Sequence, residues 1–338
     1  MKSRRFFQAF RGNRAETLVP WIELSEDRCA LCNADHRQVS VAASDQDSAG
    51  KDAKTRRFTA SGYSQKPRNM CIAAFIWNSH PLYPLLLLLN RDEYHSRPTL
   101  PLGWWEDGEI LGGRDGEAGG TWLACTKDGR LAFVTNVREL KSNFQTKSRG
   151  DLPVQFLKSK NSPKEFAEEL VGEADHYQGF NLIVADLCSM TMLYITNRPK
   201  DDGLSVIEVS PGIHVLSNAN LDTPWPKAER LQYSFKDLLD KNGEAEISIE
   251  EMVANLMRDV TKDDESKLPH IYPSEFEYPL SAIFVEADTP MGLYGTRSTS
   301  AVVLRTSGHV SFYERHLEKD LWKEQTICYQ IEKEKAAL

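Results

Sequence analysis

Cys71-Ile72-Ala73-Ala74-Phe75-Ile76-Trp77, and then Leu85-Leu86-Leu87-Leu88-Leu89, are continuous apolar runs of the length a buried β-strand takes. Similar runs follow at 121–125, 131–135, 180–185, 192–195, 205–209, 214–216, 301–304 and 310–313. Gly112-Gly113, Gly119-Gly120 and Asp128-Gly129 fall among them as turn signals, the last where a hairpin turn belongs. Short strands at hairpin spacing predict large antiparallel sheets.

Helical spacing is confined to blocks among these strands, at 163–171, 226–239 and 249–260. Ala228, Leu231, Phe235 and Leu238 line one face of the second block, and Met252, Val253, Leu256 and Val260 one face of the third. Such faces must be covered, so the pattern predicts an α+β protein with helices layered on antiparallel sheets, not a doubly wound parallel sheet. The Pro-punctuated stretch 261–279 reads as a surface loop, and 315–335 as a solvated helix. A core domain is therefore placed at 70–313, with a charged C-terminal helix or tail over 314–338.

Composition changes sharply at Met70. Residues 1–69 carry 13 Lys/Arg and 8 Asp/Glu, leaving 28 and 41 to the remainder, so the first part is near +5 and the rest near −13. A core that acidic repels a phosphate backbone, which argues against a nucleic-acid partner. No apolar run approaches the roughly 20 residues of a membrane helix. The expectation for 1–69 is a disordered extension, polar from Ser40 to Asn69 with Phe58 as its one large apolar residue. Its basic, aromatic start (Arg4, Arg5, Phe6, Phe7, Phe10, Arg11, Arg14) resembles a mitochondrial or plastid address, although acids follow from Glu16 onward. Upstream translated sequence is the other reading. Cys29-x2-Cys32-x3-His36 has zinc-like spacing but lacks a partnered pair to complete four ligands, so no metal is expected. Six scattered cysteines and no Asn-x-Ser/Thr sequon fit a reduced intracellular compartment.

There is no G-x-S-x-G, Walker, G-x-G-x-x-G or H-E-x-x-H signature. What stands out is Cys71 directly after Met70. Were Cys71 the first residue, its α-amine, with a pKa of about 8, could serve as base for its own thiol, as in N-terminal nucleophile enzymes. The structural alternative is a small buried hydrophobe at a strand start.

Met70-Cys71-Ile72-Ala73, Asn90-Arg91-Asp92-Glu93 followed by Arg97-Pro98, Trp104-Trp105, Gly112-Gly113-Arg114-Asp115 and Gly119-Gly120-Thr121-Trp122-Leu123 closely resemble the opening of the NRDE family, named for its Asn-Arg-Asp-Glu motif. Thr135-Asn136, Ser148-Arg149-Gly150, Gly179-Phe180-Asn181, Leu216-Ser217-Asn218, Leu221-Asp222-Thr223-Pro224-Trp225-Pro226-Lys227 and Tyr294-Gly295-Thr296-Arg297-Ser298 continue it in order, to about Tyr313. The resemblance implies the α-β-β-α sandwich of cysteine N-terminal nucleophile hydrolases of the choloylglycine hydrolase and penicillin V acylase type. Carried over by position, it implies Cys71 as nucleophile, Arg91 as the cation beside it and Asp92 as holder of the α-amine. Asn136 and Asn218 would supply oxyanion and amine contacts, and Arg297 a late electrostatic partner. In those hydrolases the acid sits three positions after the arginine, whereas here the two are adjacent and Tyr94 holds the third place. Two residues along a strand is about 6–7 Å, so either Asp92 or Glu93 is the working acid.

Each role has a structural alternative. Arg91, Asp92 and Glu93 could form an ion-pair knot, Asn136 and Asn218 could bond backbone at strand ends, and Arg297 could bridge strands. Two functions follow. One is a C–N (amide) hydrolase acting on an acyl-amide. The other, favoured for biological role, is a carrier or organiser with an apolar pocket, requiring no cofactor; Trp104, Trp105, Trp122 and Trp225 are either core or the wall of that pocket. Family resemblance implies for it Golgi and secretory-pathway organisation, a cytoplasmic or Golgi-associated location, and lipid, acyl-CoA or haem handling, with His80 and His95 as candidate haem contacts. A chain that retains 1–69 cannot use Cys71 as an N-terminal nucleophile.

Overall fold

The computed structural model describes residues 70–140 and 146–332. The extension over 1–69, with its address-like start and the Cys29, Cys32, His36 spacing, lies outside the described residues. Along the chain run β1 (Ile72–Trp77), β2 (Leu85–Tyr94), β3 (Thr99–Trp104), β4 (Ile110–Asp115), β5 (Leu123–Thr126), β6 (Arg130–Asn136), α1 (Asp151–Lys158), α2 (Pro163–Leu170), β7 (Phe180–Asp186), β8 (Thr191–Thr196), β9 (Ser205–Glu208), β10 (Gly212–Leu216), α3 (Pro226–Asn242), α4 (Ile249–Leu256), α5 (Ser274–Glu277), β11 (Glu286–Thr289), β12 (Gly292–Leu304), β13 (His309–Glu318) and β14 (Leu321–Gln330).

Two seven-stranded antiparallel sheets result. One has the order β10-β1-β2-β12-β13-β14, with β11 added beside β12, and the other runs β3 to β9 in sequence order. Alternation along β1 shows how they stack. Ala73, Phe75 and Trp77 join Leu85, Leu87 and Leu89 in a core shared with Leu111, Leu123, Phe133 and Ile183 of the second sheet. Ile72, Ala74 and Ile76 point the other way, onto Leu231, Phe235 and Leu256 of α3 and α4. On the far side Ala132, Leu182, Val184 and Ile195 pack under Phe156 and Phe166 of α1 and α2. The layers are therefore α-β-β-α, each sheet buried on both faces, which is why its strands read as unbroken apolar runs. Burying each such Leu or Phe stabilises the fold by about 1.5–3 kcal/mol.

Local signals agree with these positions. Ser162 and Glu165 form a reciprocal capping box with Pro163 in the first turn of α2. Gly129, at φ 88°, makes the turn between β5 and β6 that Asp128-Gly129 predicts.

Four expectations are corrected. The stretch read as a solvated C-terminal helix is strand: β13 continues to Glu318 and β14 pairs with it along its whole length. Gln325, Ile327 and Tyr329 alternate inward, Ile327 and Tyr329 onto the inter-sheet core, while Glu324 and Thr326 of the other face stay exposed. Charge on an outer strand face looks like a polar helix to composition alone, so the domain does not stop at 313. Gly112-Gly113 is not a turn but lies within β4, where a side chain on Gly113 would run into the Trp122 ring. The 261–279 loop holds the one-turn helix α5, and α1 has no counterpart among the expected helices.

Candidate functional site

The Ile72–Asn90 register between β1 and β2 places Cys71 opposite Arg91 and Met70 opposite Asp92. Alternation then divides the Asn-Arg-Asp-Glu motif between two faces. Arg91 turns with Cys71 toward a cleft between the sheets, while Asn90 and Asp92 turn toward the helices. All four motif residues are buried, because β2 runs on through them to Tyr94 against β12.

The cleft has a volume of about 480 Å³, and Cys71, Arg91, Trp122 and Asn136 line it. Arg91 stacks on Trp122 at 4.2 Å, donates to Thr99 Oγ1 at 3.0 Å and lies 3.6 Å from Asp115 Oδ2. Gly113 makes that stack fit, since it leaves room for the indole. Around the walls Arg97 pairs with Asp115 at 2.7 Å and Glu117 at 2.8 Å, and Lys147 and Arg149 stand at the entry to α1. The lining is thus largely charged. Of the four tryptophans read as core or pocket wall, Trp122 lines this cleft, and Trp104, Trp105 and Trp225 pack against the hydrophobic clusters.

Cys71 is 4% exposed, and its nitrogen belongs to the peptide bond with Met70. Burial, reinforced by the Asp92 charge and opposed by the Asp92 N–H and by Arg91, pushes its thiol up to about 12. A thiol so held is protonated at neutral pH and a poor nucleophile. Met70 is itself walled in by Leu280, Val285 and Tyr294. Its N–H donates to Tyr294 Oη at 2.8 Å, and its sulfur lies 3.7 Å from an Arg138 nitrogen.

Asp92 accepts from Thr296 Oγ1 at 2.7 Å through Oδ1, while Oδ2 is buried with no hydrogen-bond partner. Burial pushes its carboxyl up, against the pull of the Lys227 charge. Lys227, 2% exposed, donates to the Leu280 carbonyl at 3.0 Å; burial pushes it down, helped by Arg138. Nearby Arg138 and Glu277 form a buried pair at 3.3 Å. Glu277 also accepts N–H bonds from His270, Ile271 and Tyr272.

Asn218 donates from Nδ2 to the Asn136 carbonyl at 2.9 Å, and Ser217 Oγ reaches the Cys71 carbonyl at 3.3 Å. Arg297 occupies a bulge in β12, where the register to β2 shifts between Thr296 and Ser298. The bulge aims its guanidinium at the carbonyls of Tyr94 and Arg97 and at Thr99 Oγ1, the oxygen Arg91 also uses.

Of the six residues carried over by position, the structure therefore brings Cys71, Arg91 and Asn136 to the cleft wall. Asp92 is on the opposite face of β2, Asn218 sits behind Asn136, and Arg297 bridges loops beside Arg91. Glu93 also lines the cleft, with Arg97 at 3.6 Å. Sequence reasoning passed over Lys227, Arg138 and Glu277. Lys227 had a readable signal: it falls on the same helical face as Leu231 and Phe235, where a solvated lysine has no place.

His80 and His95 lie beyond opposite ends of β2, a ten-residue strand, and neither lines the cleft. Among the described residues no three His, Cys, Asp or Glu side chains are grouped to hold a metal, and no helix is long and apolar enough to cross a membrane.

Residues 70–319 match the family described as Transport and Golgi organisation 2, the other name of the NRDE family. The chain is 32% identical to the human Transport and Golgi organization protein 2 homolog over 278 residues, 78% of this chain and 99% of that protein. It is 23% identical to Transport and Golgi organization protein 2 of Drosophila melanogaster over 287 residues, 74% of this chain and 98% of that protein. Among solved structures, a mutant of the conjugated bile acid hydrolase from Clostridium perfringens is similar at a TM-score of 0.44 and 12% identity, covering 77% of this chain and 97% of that one. A likeness at that level says nothing about the site. The match over 70–319 and the identity to the human protein show the family: this chain belongs to the Transport and Golgi organisation 2 family.

Proposed function

We propose that the protein serves transport and Golgi organisation, as its family's name states, from the cytoplasmic side. Its molecular act is to bind an acyl ligand with an anionic head, of the acyl-CoA kind, in the Cys71 cleft without turning it over. The observation that carries this reading is the state of Cys71, peptide-bonded to a buried Met70 with its thiol pushed up to about 12. Neither an α-amine nor a thiolate is on hand for nucleophilic attack. Arg97, Lys147 and Arg149 supply the cations for the anionic head, which would draw Arg97 from Asp115 and Glu117 and Lys147 from Glu173, 2.7 Å away. Calorimetric titration of the full chain with a long-chain acyl-CoA tests it. The expected result is saturable binding, weakened about tenfold by joint replacement of Lys147 and Arg149 with alanine. No measurable binding ends the reading.

A second reading is favoured by one atom. Asp92 Oδ2 is buried without a donor one strand away from Met70 and Cys71, a place where a carboxylate could accept an ammonium. If Cys71 becomes the first residue in the cell, the protein is an amide hydrolase. N-terminal sequencing of the natural protein, with turnover lost in Cys71→Ser, supports this; a natural chain that never begins at Cys71 removes it.

A further inference from the structure

His214, on β10, is 7% exposed, and its ring lies against Phe75 of β1 with centroids 5.3 Å apart. Both ring nitrogens meet oxygen acceptors. Nδ1 is 2.8 Å from Asp222 Oδ2, and Nε2 is 2.8 Å from the Ser210 carbonyl oxygen. A neutral imidazole carries one N–H and one bare nitrogen, so it satisfies one of these acceptors and opposes the other. The imidazolium satisfies both.

Asp222 is fixed by more than this contact. Its Oδ1 accepts the Val215 N–H at 2.8 Å and its own N–H donates to the Val215 carbonyl at 2.9 Å. Its φ of 58° is in the left-handed region, which a non-glycine residue keeps only when its surroundings hold it there. Between Val215 and Asp222 the chain makes a loop that frames the Cys71 site. The Ser217 carbonyl accepts from Thr135 Oγ1 at 2.6 Å, Asn218 holds Asn136, the Asn218 carbonyl accepts from the Arg138 N–H at 2.8 Å, and the Ala219 carbonyl accepts from Asn181 Nδ2 at 2.8 Å.

We infer that His214 is a proton-operated clasp: as the imidazolium it fixes Asp222 and with it the 217–221 loop beside Cys71, and on losing its proton it releases that loop. His214 is thus a positioning residue, acting through Asp222 on Asn218 and Asn136. The inference holds whether Cys71 turns over a substrate or only lines a ligand site.

The electrostatic surroundings agree with the geometry. Burial by itself lowers the imidazole, but the hydrogen bond to Asp222, the Ser210 carbonyl and the Asp222 charge together carry it above its usual 6.5. Across an adjoining cavity of about 520 Å³ stand Tyr194 of β8, Arg198, Asp202 and Glu208 of β9. Of the charged groups among the described residues, Asp222 is the one in hydrogen-bond contact with the ring. Because the folded value is raised, the clasp is fully closed below the unfolded value and is lost as pH rises through the folded one.

The test uses the full chain, following the His214 ring by nitrogen-15 NMR and the exchange of the Arg138 amide, which reports the bond to Asn218. His214 should titrate above 6.5. Arg138 protection, corrected for intrinsic exchange, should fall as pH rises from 6.5 to the His214 midpoint and level off above it, by about tenfold in all for each unit of elevation. Asp222→Asn should move the His214 midpoint and the end of that fall down together. A His214 that titrates below 6.5, or Arg138 protection that stays flat through the His214 midpoint, overturns the inference. If Asp222→Asn does not fold, the presence or absence of that fall in Arg138 protection between 6.5 and the His214 midpoint of the unaltered protein decides alone.

Discussion

Asn218 directs its side-chain N–H at the backbone carbonyl of Asn136, 2.9 Å away, rather than into the cleft that Asn136 lines. It also accepts from Ser217 Oγ at 3.2 Å through Oδ1. The residue is a joint between the ends of β10 and β6. Asn218→Ala leaves the Asn136 carbonyl without this donor, so a loss of about 1–3 kcal/mol in stability is expected, measured by urea unfolding. Unchanged stability would return Asn218 to the pool of purely catalytic candidates.

Cys71 should resist thiol reagents in the native protein. With its thiol pushed up to about 12 and the residue 4% exposed, iodoacetamide at about pH 8 should modify exposed Cys188 and leave Cys71 unlabelled until the protein unfolds. The sign for stability is also set. An unfolded thiol near 9.0 that is raised on folding contributes stability fully present below 9.0 and lost as pH rises through about 12. Peptide mapping by mass spectrometry checks the labelling, and early modification of Cys71 would contradict it.

Glu277, which lies outside every motif, is a structural anchor. It pairs with buried Arg138 at 3.3 Å and gathers three backbone N–H groups of the 270–272 turn. Glu277→Gln removes the charge and leaves the guanidinium buried beside Met70. A cost of about 3–5 kcal/mol is expected from chemical denaturation; under about 1 kcal/mol would mean the pair is not desolvated as described.

Strand β14 gives a test of the C-terminal correction. Ending the chain after Asp320 removes the whole partner of β13, the Gln325 bond to the Leu102 carbonyl and the Tyr329 bond to the Thr126 carbonyl. The shortened protein should aggregate or melt well below the full chain, because a long apolar strand edge is opened. A detachable solvated helix would leave the melting temperature unchanged.

The inner strands were legible because sheets buried on both faces demand apolar residues at every position, as Leu85 to Leu89 show. The same reasoning hid the end of β2. Asn90, Arg91, Asp92 and Glu93 look like a loop to composition, yet each is buried by partners distant in sequence or across the turn: Met257, Thr99, Thr296 and Arg97. The pairing of Cys71 with Arg91 was available through the family resemblance. Adjacency on a strand already sets Arg91 and Asp92 on opposite faces; what no spacing conveyed is that Lys227, from a helix distant in sequence, is buried on the Asp92 side. Strand β14 was missed for its charges, although Trp322, Ile327 and Tyr329 carried a strand signal.

Whether Cys71 works while Met70 is attached to it is the central question for this protein. The most direct measurement is steady-state amide turnover by the full chain, its Met70–Cys71 bond verified intact by mass spectrometry. No turnover above the uncatalysed rate is expected, because the α-amine is a peptide nitrogen and the thiol is protonated. Turnover by the intact chain that disappears in Cys71→Ser would contradict it.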